Sequence, residues 1–216
     1  AVGGWSAAGG GAGAYVSGYR SVVAGGYYNT ATSSHIGIVG GSQNYVSSSN
    51  NVIWGGQLNT ITTAASRIGG GLSNSAVGYA SVVGGGQSNR APSSWTLVAG
   101  GLSNTAGNSW SSVSGGSGNR ASGYWSTVSG GASNYASAYY GTVSGGKSNT
   151  AAAHAWAIGQ NAYASSTWSG VLGFSTSGSK CYSQTSGTFQ ACVDSGFYLN
   201  GELIVPLHTT HTADDA

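Results

Sequence analysis

Carboxylates are missing from most of this chain. No Asp or Glu precedes Asp194, and all four acids (Asp194, Glu202, Asp214, Asp215) fall in its last part. Charged residues of both signs make up 5% of 216 positions, against about 25% in an ordinary domain. Catalysis needs positioned titratable groups, so this scarcity excludes much. Paired-acid glycoside hydrolysis is excluded from the repeat region, as is a calcium-binding β-roll, which needs an Asp column. His35 and His154 lie far apart with no acid to orient either, so the abundant Ser residues form no hydrolase triad. Gly146-Lys147-Ser148 lacks the spacing of a phosphate loop. The chain therefore reads as non-enzymatic, with no cofactor and no metal site.

Other absences narrow the class further. No apolar run approaches the roughly 18–20 residues that cross a bilayer, so no membrane span is expected. Met is absent even from position 1, and Ala1 reads as a processed end left after a leader is removed. The expected location is extracellular or on a cell surface. The two cysteines, Cys181 and Cys192, have no CxxC motif or nearby His for zinc. In a secreted chain they read as one disulfide, the alternative being two buried thiols. The cations Arg20, Arg67, Arg90, Arg120 and Lys147 are too dilute for a nucleic-acid surface. They leave room for mild attraction to an anionic polysaccharide. No N-x-S/T glycosylation sequon occurs.

What is present is glycine, 40 residues of it, and a strict period. Gly-Gly pairs begin at residues 10, 25, 40, 55, 70, 85, 100, 115, 130 and 145, a spacing of 15 each time. Four residues after the first Gly stands Asn: Asn29, Asn44, Asn59, Asn74, Asn89, Asn104, Asn119, Asn134 and Asn149, with Ala14 in the first copy. Six residues after it stands Val, Ala or Ile, from Val16 and Ala31 to Ala151. Thirteen after it stands Val or Ile: Val23, Ile38, Ile53, Ile68, Val83, Val98, Val113, Val128, Val143 and Ile158. Gly-Gly marks a corner because it admits positive φ and close backbone approach. Asn tolerates the left-handed region and bonds to neighbouring backbone, so stacked copies predict an Asn ladder. The segments between are rich in Val, Thr, Ser, Tyr and Trp, which suits short strands. Gly opposes a helix at about 1 kcal/mol per position. Disorder fails on the invariant aliphatic column and on 7 Trp and 13 Tyr.

The fold class predicted is all-β: a parallel β-solenoid of ten 15-residue coils rising by about 4.8 Å each. The predicted divisions are an N-terminal segment (1–9), the repeat domain (10–165), a disulfide-containing β cap (166–206) and a flexible polar tail (207–216). Within the cap, Asn200-Gly201 predicts a β-hairpin with a type I′ turn. His208 and His211 read as tail residues rather than metal ligands. One coil fixes fifteen residues for a small dependable interior, so further burial is expected from a second copy. The often branched column Val22, Val52, Val82, Leu97, Thr127 and Thr142 is the surface for it.

The unit S-x-V-x-G-G-x-x-N-x-A-S-G, complete at Ser111 to Gly123, resembles the head repeats of trimeric autotransporter adhesins. Ala157-Ile158-Gly159-Gln160-Asn161-Ala162-Tyr163-Ala164 is similar to that family's core motif, A-I-G-x-x-A-x-A. Related repeats occur in phage-tail-like and other surface fibres. The resemblance covers residues 10 to about 165. It implies a left-handed β-roll, a homotrimer, and adhesion to a host or matrix surface. The sequence departs from the family in a repeat one residue longer, in Gly-Gly where one Gly is usual, and in lacking a heptad stalk and a β-barrel anchor. The functional expectation is a surface fibre subunit, with end-to-end filament growth as an option, or an adhesin head. A viral or phage fibre and an ice-binding solenoid are the alternatives.

One outward feature stands apart. Trp95, Trp110, Trp125 and Tyr140 recur ten residues after the first Gly, and the adjacent column adds Tyr79, Tyr124, Tyr139 and His154. Stacked coil on coil they form an aromatic strip. It is either packing between subunits or along the roll, or a sticky face for glycans and apolar surfaces.

Overall fold

The computed structural model describes residues 1–174, 180–183, 185–193, 197–199 and 202–205. Among them every regular element is a β-strand, most only two residues long. Thirteen strands, from Ala7–Ala8 to Phe189–Val193, stack as one parallel sheet. Twelve, from Tyr15–Val16 to Cys181–Tyr182, stack as a second. Strands alternate between the sheets along the chain, so the backbone winds as a solenoid of about 12 turns. Each residue pairs with the one 15 positions on, from Ala7↔Val22 to Val128↔Val143.

The winding is held by bonds between coils. Gln87, Arg90, Leu97 and Ala99 donate their N–H groups forward to the carbonyls of Gly101, Asn104, Ser111 and Val113, at 2.8–3.2 Å. Ser88 and Trp95 donate backward instead, to Leu72 and Tyr79, at 2.9 and 2.8 Å. Those two residues have φ of 57° and 60°. The left-handed conformation turns the peptide over, bends the strand and reverses its donor. Each regular coil thus has two such corner positions. They correspond to Ser88 and Trp95, and no β-branched residue occupies either column. The ladder Asn is not itself left-handed, as the sequence suggested; the residue before it is.

Four columns fill the interior. Val23 to Val143 of the predicted core column are fully buried, facing the equally buried Val16 to Ala151. The other two columns are polar. Every ladder Asn is at most 1% exposed. Asn89 shows how burial is satisfied: its Nδ2 donates to the carbonyls of Gly85 and Gly101, each at 2.8 Å. Its Oδ1 accepts the N–H of Asn104 at 2.9 Å. The same link runs from Asn29 to Asn149, whose Oδ1 ends on the Ala162 N–H at 2.8 Å. The fourth column, Ser21, Asn51, Ser66, Ser81, Thr96, Ser111 and Ser126, interrupted once by the buried Ile36, was not singled out from sequence. Most of its side chains donate to carbonyls of the turns, as Ser66 Oγ does to Gly78 at 2.8 Å, while Ser81 Oγ bonds Ser66 Oγ at 3.3 Å. Among the described residues no buried side-chain nitrogen or oxygen lacks a partner.

Ile158 does not belong to the core column. Only Ala152, Ala153 and His154 separate the buried Ala151 and Ala155, where earlier corners have four residues. The coil is one residue short, so Ala157 pairs with Val143 and faces inward, and Ile158 is half-buried. A second residue is lost at a bulge between Val143 and Gly145, and Gly159 alone then takes the place of a Gly pair.

Nor does the roll stop at residue 165 or begin at residue 10. Trp156↔Gly170 and Gly170↔Phe189 extend the first sheet by coils of 14 and 19 residues, so stacking outlasts the period that reveals it. The region predicted as a cap is, up to Val193, more solenoid. Cys181 and Cys192 are disulfide-bonded and join the last strands of the two sheets across the coil. At the other end Val2 N–H bonds Val16 at 2.8 Å and Ala7 pairs with Val22. Phe197–Leu199 and Glu202–Val205 pair antiparallel with Leu199 opposite Glu202, as the predicted hairpin requires. The Asn200-Gly201 turn and the tail with His208 and His211 lie outside the described residues.

The two glycines of a pair have different duties. A Cβ on Gly56 (φ 85°) would press into the Gly71 carbonyl oxygen and lie 2.7 Å from Asn59 Nδ2. A Cβ on Gly55 would meet nothing within 4 Å. In urea melts Gly56→Ala is expected to cost at least about 1–3 kcal/mol, and Gly55→Ala to be neutral or stabilising by up to about 1 kcal/mol. Asn89→Ala removes the acceptor of the Asn104 N–H and a donor from two carbonyls. It is expected to cost at least about 2 kcal/mol by the same measurement. Asn89→Asp is worse at neutral pH, because a buried carboxylate then faces those carbonyl oxygens.

Candidate functional site

The turn that leads from the second sheet to the first carries the aromatic strip. Its left-handed position projects the side chain outward from the edge of the roll. In coil order that column reads Trp5, Arg20, His35, Asn50, Ala65, Ala80, Trp95, Trp110, Trp125, Tyr140, His154 and Trp168. From Trp95 onward six successive coils place a ring there, with φ between 53° and 62°. Gly and Asn tolerate this conformation best, and other residues adopt it at about 1 kcal/mol or more. The run of rings is therefore not what the backbone alone would select.

The rings repeat with the coils. Trp95 and Trp110 have centroids 5.2 Å apart, and Trp110 and Trp125 4.8 Å, each pair within 5° of parallel. Tyr79 meets Trp95 edge-on at 5.5 Å. Tyr140 and His154 stack at 5.0 Å, and His154 and Trp168 at 4.1 Å. The adjacent column contributes Tyr124 and Tyr139, stacked at 5.3 Å. Trp95, Trp110 and Trp125 are each close to half exposed, and Trp168 is 65% exposed. Indoles this close and this parallel overlap, so each covers much of its neighbour's face and leaves its edge to solvent.

All seven aromatics proposed from sequence (Tyr79, Trp95, Trp110, Tyr124, Trp125, Tyr139 and Tyr140) are exposed on this turn. Two differences follow from the shortened coil. His154, placed by count in the adjacent column, stands in the left-handed column between Tyr140 and Trp168. Trp168 was missed, because the fixed period fails before it. The signal available was the single Gly159, which marks a shorter turn of the roll.

The first sheet offers a second outward surface, whose character changes along the roll. Val22, Val39, Val52, Trp54, Val82 and Leu97 make its N-terminal half apolar, interrupted by Arg67. Ser112, Ser114, Thr127, Ser129, Thr142 and Ser144 make the next three coils hydroxyl-lined, and Trp156 and Phe189 return the C-terminal end to aromatic. Among the described residues no three His, Cys, Asp or Glu side chains gather as metal ligands, and no helix is long and apolar enough to cross a membrane. No known family model matches the chain, and no curated protein matches it.

Stacking and backbone strain oppose one another at the strip. Trp110→Ala gives up two ring contacts worth about 0.5–1.5 kcal/mol each, while the left-handed backbone persists. Trp110→Asn gives up the same contacts but suits that backbone better. Thermal melts are expected to place Trp110→Asn above Trp110→Ala, with both folded. Near-ultraviolet circular dichroism is expected to lose the coupled indole signal in both.

Proposed function

We propose that this chain is a non-enzymatic extracellular surface element, a fibre segment or adhesin head, whose contact surface is the aromatic strip. The observation that carries the proposal is the run of six rings in the left-handed column. The interior is complete without them, and the backbone there favours smaller residues. Exposed Trp and Tyr supply large contact area with few rotatable bonds, a composition enriched where proteins grip partners. The disulfide accords with an oxidising compartment.

The proposal includes assembly as a homotrimer. The apolar half of the first sheet supports it, since Val39 and Trp54 are 50% and 64% exposed in a single chain. Isolated surface apolar residues are ordinary, but apolar residues grouped on one sheet face, even around a single Arg67, are a typical contact surface. Sedimentation at micromolar concentration is expected to report three copies, and Val82→Asp, centred on that face, to yield a folded smaller species. A folded monomer of the unaltered protein removes the assembly. For the strip, Trp110→Ala combined with Trp125→Ala is expected to abolish retention on the native surface with assembly unchanged. Full retention by that variant removes the adhesive role of the strip.

A further inference from the structure

The cations are not scattered over the roll. After Arg67 the remaining four are Arg90, Arg120, Lys147 and Lys180; Arg90 and Arg120 are on the second sheet and Lys180 directly precedes its last strand. Its outward column over these coils runs Arg90, Thr105, Arg120, Tyr135, Thr150, Tyr163 and Tyr182, each paired in register with the next. Lys147 ends the first-sheet strand Thr142–Lys147, three residues before Thr150 of this column. Lys180 places its Nζ 5.4 Å from the centre of the Tyr163 ring. The N-terminal half of the same column, Tyr15, Thr30, Tyr45, Thr60 and Ser75, holds no cation.

Arg120 is held in position. Its Nε donates to Ser122 Oγ at 2.6 Å and its guanidinium carbon lies 5.8 Å from the centre of the Tyr135 ring. The terminal nitrogens are left with their donors for an anion. Arg90 is exposed on the same line two coils away, with Thr105 between. Two coil rises come to about 10 Å. Beside this line the next outward column is small: Pro92, Gly107, Ser122, Ser137 and Ala152. That column forms a low shelf running along the roll.

We infer that this half of the second sheet binds a linear acidic polysaccharide lying along the roll axis. The polymer is one bearing a single carboxylate or sulfate per disaccharide. A β-linked pyranose advances along its chain by about one coil rise, so charges on alternate sugars meet Arg90 and Arg120 in turn. The intervening sugars lie over Thr105 and on the shelf, with Tyr135 and Tyr163 beyond. A phosphodiester chain fits less well, since its charges are closer together than the two arginines and four cations are few for it. No carboxylate precedes Asp194, so none repels the polymer along the repeats. The site lies on a different surface from the aromatic strip and does not depend on it.

The test is calorimetric titration of the intact protein with a polymer of alternating glucuronic acid and N-acetylglucosamine, using neutral dextran and single-stranded DNA as comparisons. Binding to the polyuronate is expected to weaken as salt is raised. It is expected to fall at least about tenfold in Arg90→Ser combined with Arg120→Ser, a change of about 1.4 kcal/mol. Both side chains are exposed, so the melting temperature of that variant stays near that of the parent. Trp110→Ala with Trp125→Ala is expected to bind the polyuronate as the parent does. Absence of polyuronate binding, equal binding of dextran or of single-stranded DNA, or undiminished binding by the arginine variant each overturns the inference. None of those results touches the adhesive role of the strip, which the tryptophan variant tests separately.

Discussion

Everything in this molecule depends on one constraint: each coil lies directly over the one before, one inter-strand spacing away. Backbone donors and acceptors are then satisfied mainly between coils, with a few bonds inside the turns, as from Ser126 N–H to Gly123. Any residue type that suits a position must suit its own copy above and below. Asn satisfies that demand at the first corner. Its Oδ1 takes the next coil's N–H while its Nδ2 bonds one glycine carbonyl of its own coil and one of the next, so a single side chain ties together the backbone of two adjacent coils. The second glycine of each pair is the counterpart of this arrangement, since a Cβ there would enter the space those groups use.

The parts of the fold that repeat at 15 residues were legible because stacking turns physical need into periodicity. Asn89 and Val98 are read from sequence for the same reason that they are buried. The Ser66–Ser81–Thr96 column was harder to read. Serine is so common in this chain that a buried column does not stand out from exposed ones. Ile158 was misplaced because a count of fifteen carries no information about a corner that has lost a residue. The coils after it were read as a cap because strand pairing does not require equal coil lengths: the 19-residue step from Gly170 to Phe189 still pairs in parallel.

The candidate site was legible for a different reason. Trp95, Trp110 and Trp125 recur at the period, so their stacking followed from the fold. The left-handed backbone beneath them was not visible, because a tryptophan gives no sign of it in sequence. Only the whole column does so, by the absence of Val, Ile and Thr from Trp5 to Trp168. That backbone changes the meaning of the strip. A ring on an ordinary strand is unremarked, but rings retained on six left-handed corners run against the local preference. Mutual stacking recovers part of the cost and also hides the ring faces. The edges remain to make contact, which suits an extended apolar or interfacial surface better than face-on stacking by single sugars.

The same geometry accounts for the scarcity of charge. Like charges in one column on adjacent coils would stand about 4.8 Å apart, repelling by roughly 1 kcal/mol in water and more near the surface. A roll that repeated Lys or Arg at every coil would add that repulsion at each step. The cations of this chain avoid it. Arg90 and Arg120 share a column but are separated by Thr105, Arg67 has Val52 and Val82 as its neighbours, and Lys147 follows Ala132. Spacing by alternate coils is the densest line of positive charge that escapes nearest-neighbour repulsion. It also sets Arg90 and Arg120 two coils apart on an otherwise uncharged line. A structural roll has no need of that paired spacing, whereas a polymer with alternate charged units would match it.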